Sequence, residues 1–296
     1  MDIASRLIAL PHGITLSCRC SGADDAKRTV LLLHGFPEGA FVWEPLMRAL
    51  GPHVRCIAPN LRGYERSSAP TDVQAYRARH LVADIESLVQ AAGAPVDVLV
   101  AHDWGGGVAW NLAAARPDLL RQLVIVNSPH PGALLRELRD SPAQHAASAY
   151  MNDFCLPDAA ALLVRDDYAA LWRTLERAGS AAWLTDAVRQ RYRDVWACGL
   201  DGALNYYRAS PLRPALPGDD RLRRLELPPS VVDVRVPTTV VWGLADDALL
   251  PGLLDGLEHW VRPLRVVRVP GASHWIVHER PDVLLKALQG ALTADR

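Results

Sequence analysis

Short apolar runs alternate with stretches of helical period along the first 130 residues. Residues 29–33, 54–58, 96–101 and 123–126 are mostly β-branched and apolar at consecutive positions, as in parallel strands buried on both faces. Between them, 42–50, 76–92 and 106–115 carry apolar residues at helical spacing, the last ending at Arg116-Pro117. This alternation predicts an α/β fold, an open and mostly parallel sheet flanked by helices. From about Gly132 to Pro229 the strand-like runs disappear. Helices are predicted there over 143–154 (with Ser141 as N-cap and Pro142 in the first position), 168–178, 185–198 and 202–209. Five prolines between Pro211 and Pro229 read as a connecting segment. The α/β pattern then resumes with strand 238–242, helix 253–261, strand 264–269 and helix 281–292. The expected organisation is a sheet domain over 1–131 and 230–296, interrupted by an inserted helical cap over 132–229.

Composition narrows the classes. With 296 residues, 50% hydrophobic and 22% charged, the chain can bury a large core and is not a disordered polymer. A formal charge of −1, from 32 basic and 33 acidic residues, gives no reason to expect nucleic acid or an anionic membrane as partner. The five cysteines (Cys18, Cys20, Cys56, Cys155, Cys198) are odd in number and lack C-x-x-C spacing. Free thiols in a reducing cytosol are expected rather than a disulfide framework or a zinc site. Cys18 and Cys20 would share one face of a further strand. The first residues do not read as a signal peptide, and no apolar run approaches the ~20 residues of a membrane span. A cytoplasmic protein without metal or cofactor is expected, its oligomeric state open.

The most informative stretch is Val100-Ala101-His102-Asp103-Trp104-Gly105-Gly106, an apolar strand turning sharply into a helix. Ala101 and Gly105 flank Asp103 at −2 and +2, where a nucleophile elbow requires small residues. The usual serine is replaced by Asp103, so the nucleophile would be a carboxylate. The alternative for Asp103, taken alone, is a buried aspartate capping the next helix. Two further residues weigh against that. Asp246 follows strand 238–242, and His274 follows strand 264–269, at carboxyl ends of strands where open α/β sheets carry their active groups. Asp247 competes with Asp246 for the acid role, and His274 alone could be a surface-loop histidine. The loop Leu33-His34-Gly35-Phe36-Pro37 follows the first strong strand, and in an elbow site such a loop supplies one oxyanion-hole N–H. The donors would be the backbone N–H groups of Phe36 and Trp104, with His34 bracing the loop.

Together these residues resemble α/β-hydrolases of the epoxide hydrolase group, relatives of the haloalkane and haloacetate dehalogenases. The matching stretches are HGFPE (34–38), RGY (62–64), HDWGG (102–106), NSPHP (127–131), LNYYR (204–208), WGLADDALLP (242–251) and ASHWIVHERP (272–281). They span nearly the whole chain. Asn60 and Glu65 depart from the aspartate and glycine more usual in the group. The resemblance implies two proton-donating tyrosines in the insert, Tyr150 and Tyr207. It also implies a substrate site formed by Phe36, Trp104, Tyr150 and Tyr207. Without it, either tyrosine reads as an ordinary amphipathic residue. Tyr206 lies about 100° from Tyr207 on a helix and would not share its task.

The chemistry follows from ordinary acidities. An aspartate is ionised at neutral pH and needs no base to attack an sp³ carbon. His274, neutral at its reference pKa of about 6.5, would activate water to hydrolyse the resulting ester, with Asp246 fixing its tautomer. An opening epoxide yields an alkoxide that needs a proton, which a tyrosine holds at pH 7; a departing halide needs only donors. The expected function is hydrolysis of an apolar epoxide to a vicinal diol, with water as co-substrate. Dehalogenation is the rival. It is weakened by Phe36, where haloalkane dehalogenases usually carry asparagine, and by Trp104, where haloacetate dehalogenases usually carry arginine. A non-catalytic ligand-binding protein on the same scaffold is a third reading, disfavoured because Asp103, Asp246 and His274 are all present. His274 and His278, four apart on an expected loop, lack a third partner for zinc. Trp172, Trp183 and Trp196 read as core or pocket wall.

Overall fold

The computed structural model describes residues 2–177 and 181–294. Eight strands form one sheet in the order β1-β2-β4-β3-β5-β6-β7-β8. They are β1 (Ala4–Ala9), β2 (Thr15–Ser21), β3 (Arg28–Leu33), β4 (Val54–Pro59), β5 (Val96–His102), β6 (Leu120–Val126), β7 (Thr238–Gly243) and β8 (Leu264–Val269). β1 pairs antiparallel with β2, and β2 with β4; all other pairings are parallel. Val30–Leu33 and Leu123–Val126 are fully buried at every position, so the sheet centre is covered on both faces, as the unbroken apolar runs require. Strand β1 escapes the sequence pattern because it is an edge strand with mostly exposed side chains, Leu7 among them.

The helices of the first half are α1 (Glu44–Leu50), α2 (Ala78–Ala91) and α3 (Asp103–Ala115). α3 packs on β3, β5, β6 and α2. Between β6 and β7 lie α4 (Pro131–Asp140), α5 (Pro142–Ala147), α6 (Tyr150–Asp153), α7 (Ala159–Glu176), α8 (Asp186–Trp196), α9 (Asp201–Ala209), α10 (Arg221–Arg224) and α11 (Pro229–Val232). After β8 come α12 (Ile276–Glu279) and α13 (Pro281–Thr293), which packs on α1 and β5–β7.

Several expected bounds change for physical reasons. The helix expected over 143–154 divides into α5 and α6, because Ser148 leaves the helical path at φ −89°, ψ 2°. Ser141 caps α5 as expected, accepting from the Gln144 N–H. The helix expected over 168–178 begins earlier, at Ala159, and is kinked at Arg165–Tyr168; its expected end at Ala178 lies outside the described residues. Residues 253–261 form two 3₁₀ turns, Pro251–Leu254 and Leu257–His259, separated by left-handed Gly256. The proline-rich stretch 211–229 is more than a connector. Leu222 packs with Leu135 and Leu138, joined by Leu212, Leu225 and Leu227, in a small second core. His278, expected on a loop, lies on α12.

Parallel register brings the site together. Leu33 pairs with Ala101, His102 with Val126, Val126 with Val241, and Gly243 with Val269. The residues just beyond these strand ends therefore meet along one edge of the sheet: His34–Phe36, Asp103, Asn127–Ser128, Asp246 and His274.

Candidate active site

Asp103 is the first residue of α3 and has φ +47°, a left-handed conformation that a non-glycine residue rarely adopts. The bend points its carboxylate out of the strand while leaving it at a helix N-terminus, where a negative charge is favoured. Neighbours hold it there. The Ser128 hydroxyl donates to the Asp103 carbonyl at 2.6 Å. Gly35 is required by proximity, since a Cβ on it would overlap the Asp103 side chain. With no side chain in the way, the Phe36 N–H reaches Asp103 Oδ1 at 2.7 Å. Trp104 is the second residue of α3, and its N–H has no acceptor within the helix because first-turn amides have none. Oδ2, the other carboxylate oxygen, lies 3.8 Å from His274 Nε2.

Behind His274 stands Asp246, almost fully buried. Its Oδ2 lies 2.7 Å from His274 Nδ1 and accepts from Asn127 Nδ2 at 2.7 Å. Its Oδ1 takes the N–H groups of Ala248 and Leu249 at 2.9 and 2.8 Å. A carboxylate so supplied has only acceptors to offer, which assigns the imidazole proton to Nδ1 and leaves Nε2 facing Asp103. Burial alone would raise the Asp246 pKa, but His274, the Leu249 N–H and Asn127 hold it below the ordinary value. Asp247 points elsewhere, paired with Arg177 at 2.6 Å.

The imidazole differs from its expected state. Burial pushes the His274 pKa down, but the charge and hydrogen bond of Asp246, reinforced by Asp103 and Glu38, carry it up to about 9. These carboxylates favour the protonated ring in the resting site, where the reference value predicts a neutral one at pH 7. Asp246 and Asp103 are both close to the ring in the fold, and Glu38 adds to them.

Tyr150 and Tyr207 share one cavity wall with Asp103 and Trp104. Their rings are 6.3 Å apart, and Tyr207 meets Trp104 edge-on at 5.0 Å. Burial, with the Asp103 charge adding, raises both phenol pKa values, so both hydroxyls keep their protons at neutral pH. Tyr206 is committed elsewhere, its hydroxyl donating to the Arg62 carbonyl at 3.0 Å. Phe36 meets the site through its backbone, its ring packing against Phe154 and Tyr207 at 5.0 and 5.3 Å. The cavity has a volume of about 290 Å³, at the lower end of small-molecule sites. Among the described residues, no lysine, arginine, histidine or glutamate lines it.

Sequence reasoning missed the supports. Asn127 (φ +35°) donates to Asp246 and accepts the Gly243 N–H at 2.8 Å. Glu38 is fully buried against His102 Nδ1, His278 Nε2 and the Tyr192 hydroxyl, each at 2.9 Å. Burial would raise the Glu38 pKa, but hydrogen bonds from His102 and His278 hold it well below the usual carboxylate range. His102 Nε2 also lies 3.0 Å from the His274 carbonyl, tying this cluster to the imidazole. Glu38, His102 and Asn127 all lie in motifs visible in the sequence, but their partners are 64 to 240 residues away. His34 braces its loop between the Gly35 carbonyl and the Leu61 N–H. The unusual pair Asn60 and Glu65 hydrogen-bond to each other. Trp196 donates to the Pro37 carbonyl at 2.7 Å and Trp183 stacks on His278; neither they nor Trp172 line the cavity. Among the described residues no cluster of three or more metal-ligating side chains occurs, and no helix is long and apolar enough to cross a membrane.

Comparison with known proteins agrees with this architecture. The family model described as alpha/beta hydrolase fold matches residues 28–281. The AB hydrolase superfamily protein YfhM of Bacillus subtilis is 33% identical over 277 residues, covering 92% of each chain. Epoxide hydrolase 3 of Xenopus tropicalis is 30% identical over 292 residues, covering 96% of this chain and 76% of that one. A solved structure from work on novel epoxide hydrolases in metagenomes from hot environments superposes with a TM-score of 0.88 at 34% identity, over 100% of both chains. The inhibitor complex of Bacillus megaterium epoxide hydrolase does so with a TM-score of 0.86 at 29% identity, over 97% of this chain and 99% of that one. The elbow, the sheet order and these matches agree: the chain belongs to the α/β-hydrolase superfamily, and its relatives there include epoxide hydrolases.

Proposed function

We infer that the protein hydrolyses an epoxide to a vicinal diol through a covalent ester on Asp103. Asp103 Oδ2 attacks a ring carbon, the carbon–oxygen bond of the ring breaks, and the departing oxygen takes a proton from Tyr150 or Tyr207. This leaves a hydroxyalkyl ester and a tyrosinate. Ester formation removes the Asp103 charge, one of the supports for the His274 proton, and the tyrosinate is a base ready to receive that proton through solvent. His274 is then neutral, with its Nε2 lone pair free, when water must be activated. Water attacks the ester carbonyl carbon and gives its proton to Nε2. The oxyanion forms where Phe36 N–H already meets Oδ1, with Trp104 N–H as second donor. The ester carbon–oxygen bond then breaks, the departing diol oxygen takes the proton of the re-formed carboxyl group, and the diol leaves with Asp103 again a carboxylate and His274 protonated.

One observation carries this reading. An aspartate on an elbow, set against an Asp246–His274 pair, shares a cavity with two buried phenols that stay protonated. Residues 132–229 supply those phenols and, in this reading, act as a cap over a catalytic domain of 1–131 and 230–296. Halide release draws less support, because Phe36 has no side-chain donor and the cavity offers no cation to a haloacetate. The test is a purified-protein screen across epoxides, haloalkanes and haloacetates. Diol formation that Asp103→Ala abolishes is expected; halide release with no diol would transfer the site to dehalogenation.

A further inference from the structure

Three consecutive glycines lie in the first turns of α3, but packing demands only two. A Cβ on Gly105 would overlap the backbone of Leu33 and His34, and one on Gly106 would overlap the Ser128 side chain. A Cβ on Gly107 would meet nothing nearer than Trp104 Cε3 at 3.7 Å, an ordinary van der Waals contact. Its φ is not positive, so backbone conformation does not require glycine either. A glycine in a helix interior weakens the helix relative to alanine. Neither fit nor backbone explains Gly107, which lies on the cavity wall.

That cavity follows α3. Its lining includes Asp103, Trp104, Gly107, Val108 and Asn111, a span of nine residues and about 12 Å along the helix axis. Leu134, Leu212, Leu227 and Val231 also line it. Asn111 closes the series with its Nδ2 donating to the Gly107 carbonyl at 2.8 Å. A side chain at 107 would rise into this trench between the reacting groups and its far end. The walls carry no cation among the described residues, so a carboxylate or phosphate on the substrate would be buried unpaired, which is costly.

We propose that Gly107 determines substrate length: its missing side chain gives the clearance over which the apolar body of an elongated, uncharged epoxide passes from Asp103 toward Asn111. This rests on the epoxide reading and narrows it to neutral epoxides with a long apolar substituent. The test compares wild type, Gly107→Ala and Gly107→Leu on 1,2-epoxybutane and 1,2-epoxydecane, with diols quantified by mass spectrometry. The ratio of kcat/KM for the decane epoxide over the butane epoxide is expected to fall in order of side-chain size, by about tenfold or more for leucine. The fall should lie in KM, because the reacting groups are untouched, and the melting temperature of Gly107→Ala should not drop. A ratio that stays constant across the series would overturn the proposal. Absence of diol from both epoxides with wild type would instead defeat the epoxide reading. In that event calorimetric binding of 1,2-decanediol still decides the role of Gly107: weakening by leucine supports it and equal affinity overturns it.

Discussion

Replacing Asp246 by asparagine probes the part of the site where geometry and acidity are most tightly joined. The amide keeps the shape, and its oxygen can still take the Ala248 and Leu249 N–H groups. Its NH₂ then replaces the oxygen that faces both His274 Nδ1 and Asn127 Nδ2. Asn127 cannot simply turn over, because its own oxygen holds the Gly243 N–H. An amide donor facing Nδ1 moves the imidazole proton to Nε2, the nitrogen that must accept from water. The lost charge also matters: the charge and hydrogen bond of Asp246 are the largest influences raising the His274 pKa, and they favour the imidazolium that forms during ester hydrolysis. Together with the wrong tautomer, their loss is expected to slow the step by roughly 10²–10⁴. Alkylation needs the Asp103 charge and a phenolic proton and should slow by less than about tenfold. Rapid-quench single turnovers with intact-protein mass spectrometry separate the two steps, and the variant should accumulate an adduct of the mass of the epoxide. Equal slowing of both steps, or no adduct under excess substrate, would refute the reasoning.

The tyrosines predict the complementary phenotype. Tyr150→Phe and Tyr207→Phe should each slow alkylation more than ester hydrolysis, and the double variant should lose roughly 10²–10⁴ of the alkylation rate; the same rapid-quench traces decide it. Gly35→Ala should lower activity by at least about 10², because the new Cβ displaces Asp103 from the Phe36 N–H, while circular dichroism shows the fold retained; full activity would contradict the contact. Stability should also follow His274. Its pKa is higher in the folded chain than the ordinary 6.5, so its stabilisation is fully present below about pH 6.5 and is lost as pH rises through about 9. Wild type should therefore lose thermal stability across that window relative to His274→Gln; parallel melting curves from pH 6 to 10 would contradict the raised pKa.

How much was legible in the sequence depended on the range of the signal. The central parallel strands were plain because apolar side chains run consecutively, and Asp103, Asp246 and His274 stood out as candidates because each follows a strand. The edge strand β1 was not, since Leu7 and its neighbours face solvent and leave no period. The kink at Arg165–Tyr168 and the division of residues 253–261 come from backbone conformations that helical spacing does not encode. Asp246 and Asp247 compete in one dimension, whereas in the fold Asp246 meets His274 and Asp247 pairs with Arg177. The reference acidity of His274 did not carry over because the fold sets its ring against the buried Asp246 carboxylate, with Asp103 and Glu38 adding to the upward shift.

The most direct test of the central claim is a single turnover in heavy-oxygen water with enzyme in excess over epoxide, followed by mass spectrometry of the peptide containing Asp103. If the carboxylate attacks carbon and water then attacks the ester, one heavy oxygen enters the Asp103 side chain and the first diol released carries none. Label found in the diol, with Asp103 unlabelled, would mean that water attacks the epoxide directly and that Asp103 is not the nucleophile.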